Sequence, residues 1–162
     1  MWAWRKNRIH KIAKATDLVL TLFPFEKKFY DEHGVPAHFV GHPLADQIPL
    51  VIDRKAARQR LNLEAEATYV ALLPGSRRNE IRLLGETFLR AAKQCFDQRR
   101  AVRFITSSVN DERDREFKEQ FKRIAPDIPL QFFQQRTQEV MAAANVILVT
   151  SGTATLEALL FI

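Results

Sequence analysis

The sequence predicts an α/β fold, in which a parallel sheet is covered by helices on both faces. Short apolar segments alternate with longer segments whose apolar residues recur every three or four positions. The apolar segments are continuous, which is typical of parallel strands that are buried on both faces. Two glycine turns, at Gly75 and Gly152, each follow a predicted strand and precede a predicted helix. Ligands bind such sheets at the carboxyl ends of the strands, so we expect both turns to line one crevice.

The predicted elements follow one another with short connections, several of them marked by glycine or proline. The predicted strands are residues 18–23, 37–40, 68–73, 102–106, 129–133 and 146–149. The predicted helices are one within residues 1–16, then 26–33, 53–62, 81–95, 111–124, 137–143 and one that begins at Thr153. Asp53 and either Asn110 or Asp111 are the predicted helix caps. The stretch with Pro43 and Pro49 is interpreted as a proline-marked connection before the helix at 53–62.

Length and composition fit an ordinary globular domain. The chain has 162 residues, of which 46% are hydrophobic, enough for one domain core or parts of two. Cys95 is the only cysteine, so no internal disulfide can form, and we expect it to be a small core residue. No segment resembles a signal peptide, and polar residues such as Asn145 and Glu157 interrupt the apolar stretch 140–162. We therefore expect a soluble protein of a reducing compartment.

Positive charge is concentrated at the N-terminus. The net charge is +6, and residues 1–16 contain five basic residues and no acidic ones. On a helix, one face would contain Trp2, Ile9, Ile12 and Ala13, and the broadly opposite face would contain Trp4, Arg8, Lys11 and Lys14. Such a helix can attract anionic lipid or nucleic-acid phosphate, or it can be a solvated face that packs on another part of the protein. The nearly neutral remainder of the chain argues against a nucleic-acid-binding module.

Several motifs of nucleotide and metal enzymes are absent from the sequence. It lacks the phosphate-binding pattern G-x-x-x-x-G-K-[ST] and the dinucleotide pattern G-x-G-x-x-G. The four histidines do not have the spacing of a zinc site. Gly75-Ser76 lacks the second glycine of a serine-hydrolase turn, so we expect Ser76 to donate to a phosphate or to cap a helix.

The first glycine turn has the chemistry of an anion site. It lies in residues 72–80 (LLPGSRRNE), between a predicted strand and a predicted helix. The free N–H groups of such a turn and the helix dipole can bind an anion. Arg77 adds a fixed, forked positive charge that suits paired phosphate oxygens. An ordinary strand-to-helix loop with solvated arginines is the alternative interpretation.

The second glycine turn, Ser151-Gly152-Thr153, precedes the last predicted helix. Thr153 and Glu157 are four residues apart, so they share the helix face nearest the strand ends. A carboxylate in that position can accept hydrogen bonds from both hydroxyls of a ribose. The two turns together therefore predict a site for a diphosphate joined to a sugar, although a solvated Glu157 is the simpler alternative.

Five segments of the sequence form a pattern by their order and spacing. They are Trp2-Ala3-Trp4-Arg5, Phe23-Pro24-Phe25-Glu26, residues 39–46 (FVGHPLAD), residues 72–77 (LLPGSR), and Ser151-Gly152-Thr153-Ala154 with Leu156-Glu157. Through nearly the whole chain, this pattern resembles the lipid-A-disaccharide synthase family, whose members are glycosyltransferases of the GT-B architecture with two facing Rossmann-like domains.

The resemblance implies transfer of a diacylglucosamine from UDP-2,3-diacylglucosamine to 2,3-diacylglucosamine 1-phosphate, with inversion and release of UDP. It implies no cofactor and no metal ion. It places Arg77 at the departing diphosphate and Glu157 at the ribose. The remaining UDP-sugar-binding residues that it implies are Gly75, Ser76, Ser151, Gly152 and Thr153.

The resemblance also implies a cytoplasmic protein that is peripherally associated with the inner membrane and that can form a homodimer. Arg8, Lys11 and Lys14 are the residues we expect to face the membrane surface. Nucleic acid is not an expected partner.

Relative to the family, the chain lacks the first half, with the acceptor pocket and its proposed catalytic base, and everything after the helix that begins at Thr153. We expect residues 1–46 to be the end of the acceptor domain with the interdomain crossover, and residues 47–162 to be the first part of the donor domain. We therefore expect the chain alone to be an inactive, incomplete GT-B fragment. The alternative is another GT-B transferase, of the peptidoglycan UDP-N-acetylglucosamine type. Trp2-Ala3-Trp4-Arg5 and Gly41-His42-Pro43 argue against it.

Overall fold

The computed structural model describes residues 6–49 and 51–161, so the predicted motif at residues 2–5 lies outside the described part. The chain divides into two compact units, Met1–Pro49 and Leu50–Ile162. Each contains a parallel sheet with helices, which confirms the predicted α/β class. Their assignment to an acceptor and a donor domain stays a prediction.

The first unit contains a small two-stranded parallel sheet. A turn of 3₁₀ helix, Lys6–Arg8, leads into α1 (Ile9–Ala15), which is followed by β1 (Val19–Thr21), α2 (Pro24–Glu32), β2 (Ala37–Phe39) and α3 (Pro43–Gln47). Its buried core consists of Ile9, Tyr30 and Val35, against which Ile12 and Phe29 pack.

The predicted strand 18–23 is too long at its end, and the proline-marked connection contains a helix that was not predicted; helix capping explains both differences. β1 ends before residues 22–23 because the Glu26 carboxylate accepts the N–H groups of Leu22 and Phe23, at 3.2 and 3.3 Å, and starts α2. The connection after residue 42 contains α3, where the Nδ1 atom of His42 accepts the Leu44 N–H at 3.2 Å. Pro43 occupies the first helical position, where a missing N–H costs nothing.

The second unit contains a four-stranded parallel sheet in the order β5–β4–β3–β6. Its elements are α4 (Arg54–Arg60), β3 (Thr68–Leu73), α5 (Arg78–Gln98), β4 (Val102–Ser108), α6 (Asp111–Ile124), β5 (Leu130–Gln134), α7 (Thr137–Ala143), β6 (Val146–Val149) and α8 (Thr153–Leu159). The predicted caps Asp53 and Asn110 accept the N–H groups of Ala56 and Arg113, each at 2.9 Å. Because all strands run in parallel, their carboxyl ends meet at one edge.

Helices cover both faces of this sheet. On one face, α5 and α6 pack their buried side chains, such as Leu89 and Phe117, against Leu72 and Phe104 of the strands. Cys95 packs against the same cluster, as predicted. On α7, the four residues 140–143 are buried. No helix in residues 6–49 and 51–161 has the length and apolar character needed to cross a membrane.

Buried Arg58 joins three parts of this unit. It lies on α4 and is only 5% exposed. Its guanidinium donates to the Ala143 carbonyl at 3.0 Å, to Oδ1 of Asn145 at 2.7 Å and to the Ala65 carbonyl. The same Asn145 oxygen accepts the N–H of Tyr69 at 2.9 Å. These bonds fix where β3 and β6 begin, and hence where their carboxyl ends lie.

Candidate functional site

The two glycine turns line one cavity of about 250 Å³ at the carboxyl ends of β3, β4 and β6. Its walls contain all seven residues that the sequence predicts for UDP-sugar binding: Gly75, Ser76, Arg77, Ser151, Gly152, Thr153 and Glu157. Ser107, Val109 and Thr137 also line it. Val109 and Thr137 are shared with a neighbouring cavity of about 520 Å³. Space for a ligand therefore extends past the two turns.

Gly75 is required by the shape of the first turn. Its φ of +126° lies in a region that side chains with a Cβ rarely adopt. A Cβ built there would lie 2.4 Å from Oε2 and 2.5 Å from Cβ of Glu80. The turn is therefore packed directly onto the Glu80 side chain.

Glu80 accepts three hydrogen bonds from this turn. Its Oε2 accepts the N–H groups of Ser76 and Arg77, at 2.9 and 3.0 Å, and its Oε1 accepts from the Arg77 guanidinium at 2.7 Å. The Arg77 N–H and then the Arg77 guanidinium lower the pKa of Glu80. The carboxylate is therefore ionised at neutral pH.

This arrangement corrects two expectations about the turn. The helix cap is Arg77, not Ser76, because Glu80 stands three residues after Arg77 and reaches back to its N–H. The N–H groups of Ser76 and Arg77 are not free for an anion, since Glu80 already accepts both. The spacing of Arg77 and Glu80 was the signal that sequence reasoning missed.

Other donors of the turn remain available. The Arg77 side chain is 82% exposed, and Glu80 engages one edge of its guanidinium. Within residues 6–49 and 51–161, no carbonyl or carboxylate accepts the N–H of Arg78 or of Asn79, at the start of α5. Both N–H groups lie at the positive end of the helix dipole.

Arg78 differs from its neighbour Arg77. It does not line the cavity. A hydrogen bond from Arg113 and the charge of Arg113 lower the pKa of the exposed Glu112 on the next helix, and the charge of Arg78 adds a smaller contribution. The two adjacent arginines therefore differ in position, since Arg77 lines the cavity and Arg78 does not.

Glu157 lies on α8 with Thr153, and both line the cavity, as their spacing predicts. Gln138, on α7, donates from Nε2 to Oε1 of Glu157 at 3.1 Å. Thr150 also lines the cavity, and its buried hydroxyl has no hydrogen-bond partner in the part of the chain that the structure describes. Gln138 was missed because only the folded chain brings it to Glu157. Thr150 directly precedes Ser151, but burial of its hydroxyl does not follow from the sequence pattern.

The first unit carries the basic helix. Arg8, Lys11 and Lys14 are exposed, whereas Ile9 is buried and Ile12 is half-buried. The predicted two-faced helix is confirmed for the described residues, and its contact with a membrane stays a prediction. Among residues 6–49 and 51–161, no group of three histidine, cysteine, aspartate or glutamate side chains is placed to hold a metal ion.

Comparisons with known proteins agree with the resemblance in the sequence motifs. A family model described as lipid-A-disaccharide synthetase matches residues 1–162. Three similar proteins, each named lipid-A-disaccharide synthase, come from Psychromonas ingrahamii, Azotobacter vinelandii and Saccharophagus degradans. They are 49%, 48% and 50% identical over 160, 162 and 162 residues. These matches cover 99% of this chain and 42%, 43% and 42% of the relatives. The chain, which spans about two fifths of the length of these relatives, belongs to the lipid-A-disaccharide synthetase family.

Proposed function

We propose that the protein to which this chain corresponds is a GT-B glycosyltransferase of lipid A biosynthesis. It moves diacylglucosamine from UDP-2,3-diacylglucosamine to 2,3-diacylglucosamine 1-phosphate, with inversion and release of UDP. Residues 1–46 belong to the acceptor domain and the crossover, and residues 47–162 to the donor domain. The observation that supports this most directly is the meeting of both glycine turns, Arg77 and Glu157 at one cavity.

Arg77 stabilises the leaving group in this proposal. When the glycosidic bond of the donor breaks, its electron pair moves onto the diphosphate, and negative charge grows there. A guanidinium that is exposed, yet held on one edge, can meet that charge with little reorganisation. The dipole of α5 acts in the same direction. The proposed chemistry uses no cofactor and no metal ion.

Glu157 orients the donor. Its carboxylate accepts hydrogen bonds from the two ribose hydroxyls, and Gln138 holds one of its oxygens. Charge-assisted hydrogen bonds of this kind are stronger than neutral ones and fix geometry. The neighbouring cavity beyond Val109 and Thr137 gives room for the rest of a nucleoside.

Inversion requires the acceptor hydroxyl to attack the anomeric carbon from the face opposite the diphosphate. We assign the base that takes its proton to a part of the acceptor domain outside residues 1–162. The chain alone is therefore proposed to be inactive.

Arg8, Lys11 and Lys14 bring the enzyme to the cytoplasmic face of the inner membrane, where both acylated substrates reside. A homodimer is compatible with this proposal.

The test uses a chimera in which residues 1–162 replace the matching segment of a full-length relative. We expect the chimera to form the disaccharide and UDP from the two acylated substrates, and the 162-residue chain alone to form neither. The chimera should not accept UDP-N-acetylglucosamine in place of the acylated donor. A folded chimera that uses only UDP-N-acetylglucosamine would contradict the proposal and favour the peptidoglycan type of transferase.

A further inference from the structure

The Gly75 turn already holds an anion that belongs to the protein, the carboxylate of Glu80. This carboxylate accepts the N–H groups of Ser76 and Arg77 and one edge of the Arg77 guanidinium. We propose that Glu80 is a positioning residue, which fixes the turn and aims the free edge of the Arg77 guanidinium at the donor diphosphate. This inference rests on the proposed function, because it assigns Glu80 a role in the same donor site.

The exposed fractions of the Glu80 and Arg77 side chains support the positioning role of Glu80. The Glu80 side chain is 23% exposed, whereas that of Arg77 is 82% exposed. The carboxylate therefore lies on the protein side of the turn and the guanidinium on the solvent side. Glu80 also fills the space beside Gly75 so closely that a Cβ there would lie 2.4 Å from its Oε2.

The charge of Glu80 decides which donors a diphosphate can use. A second anion cannot approach the N–H groups of Ser76 and Arg77 while the carboxylate accepts them, since like charges repel at short range. The group of the turn that remains available at the cavity is the outer part of the Arg77 guanidinium. The diphosphate is therefore directed to this guanidinium and not to the N–H groups of the loop.

In the competing interpretation, the Glu80 carboxylate occupies the anion site of the turn only until the diphosphate binds and displaces it. Three hydrogen bonds and the contact with Gly75 oppose that displacement. The two interpretations predict opposite effects of removing the carboxylate. If Glu80 is a positioning residue, removal of its carboxylate weakens UDP binding. If the diphosphate displaces the carboxylate, its removal strengthens UDP binding.

The experiment measures UDP affinity by calorimetry for the 162-residue chain and as competitive inhibition by UDP for the chimera. We expect Glu80→Ala to weaken UDP binding about tenfold, and to have less than about a twofold effect when Arg77 is already alanine, since the two residues are in contact. Glu80→Gln should weaken UDP binding less than Glu80→Ala does, because the amide oxygen can still accept hydrogen bonds from the N–H groups of the turn. Tighter UDP binding by Glu80→Ala would overturn the proposal.

An amide NMR spectrum supplies a readout that general loss of stability does not change. UDP should shift the Nε–H signal of the Arg77 side chain more than the backbone N–H signals of Ser76 and Arg77. Larger shifts of the two backbone signals would overturn the proposal, because they would mean that the diphosphate replaces the carboxylate. The same spectra show whether each variant is folded.

Glu86→Ala is the matched control. Glu86 lies on the same helix and forms an ion pair with Arg123 at 3.0 Å, but it does not line the cavity. Its removal should leave UDP affinity unchanged. If Arg77→Ala weakens UDP binding and Glu80→Ala does not, the positioning role is wrong and the proposed function stands. If neither the chain nor the chimera binds UDP, the proposed function fails and this inference fails with it.

Discussion

Gln138 on α7 donates a hydrogen bond to Glu157 on α8, with 3.1 Å between its Nε2 and the carboxylate Oε1. The two residues are 19 positions apart, and this contact connects the helix beside the neighbouring cavity to the carboxylate in the proposed ribose site. The bond leaves the second carboxylate oxygen available and limits how Glu157 can rotate. Gln138 thus orients a group that is proposed to contact the donor.

We expect Gln138→Ala to weaken UDP binding by about 0.5–1.5 kcal/mol, the usual contribution of one hydrogen bond. Calorimetry on the 162-residue chain measures this change. Gln138→Glu should weaken UDP binding more than Gln138→Ala does, because a second carboxylate would repel Glu157. Equal affinities of the alanine and glutamate variants would show that the contact does not orient Glu157.

Glu157→Gln tests the ribose contact itself. We expect the substitution to weaken UDP binding by about 1–2 kcal/mol, because charge-assisted hydrogen bonds are lost. The measurement compares UDP with its 2′,3′-dideoxy analogue, which has no hydroxyls to donate. The analogue should bind both forms of the protein nearly equally. Losses of the same size for both ligands would mean that Glu157 acts through the structure of the site.

Arg58→Ala should destabilise the second unit. The change removes a buried guanidinium and leaves the carbonyls of Ala143 and Ala65 without their donor. We expect a loss of about 2–4 kcal/mol in the free energy of unfolding, measured by urea denaturation.

Arg60→Ala is the control for Arg58. Arg60 is on the same helix, but its side chain is 54% exposed and its ion pair with Glu139 is long, at 3.5 Å. Its loss should change the free energy of unfolding by less than about 1 kcal/mol. Similar losses for both variants would mean that burial of Arg58 is not what stabilises the unit.

The sequence predicted the second unit better than the site built on it. Buried strands such as β3 read as continuous apolar segments, and the alternation of strand and helix then implies a parallel sheet with both glycine turns at one edge. Side-chain contacts within the site do not follow from that pattern. Glu80 was missed because the turn was interpreted as a site for a bound anion. Gln138 was missed because its contact with Glu157 depends on how α7 and α8 lie after folding.

The basic face of α1 is predicted to bind anionic lipid. Replacing Arg8, Lys11 and Lys14 with glutamine in the chimera should weaken binding to vesicles that contain anionic lipid, by roughly 1 kcal/mol per residue at low ionic strength. Vesicle sedimentation measures this change, and the difference should shrink as salt is added. Unchanged binding at low salt would show that this face has another role.

Arg77 and Arg78 provide an internal comparison of position at constant charge. Arg77 lines the cavity, and its guanidinium is held on one edge by Glu80 at 2.7 Å. Arg78 follows it directly and lies outside the cavity. General positive potential would make the two residues equivalent, whereas a specific leaving-group contact would not.

We therefore expect Arg77→Ala to lower turnover of the chimera by roughly 10²–10³, the scale of losing one preorganised electrostatic group in the transition state. Arg77→Lys should recover only part of this loss, because an ammonium cannot bind Glu80 and the diphosphate with two edges at once. Arg78→Ala should change turnover by less than about threefold, since its charge is screened from the cavity by solvent. Single-turnover kinetics with saturating substrates separate these effects from substrate binding. If Arg78→Ala is as damaging as Arg77→Ala, the turn acts through general positive potential, and the specific contact of Arg77 with the departing diphosphate is wrong.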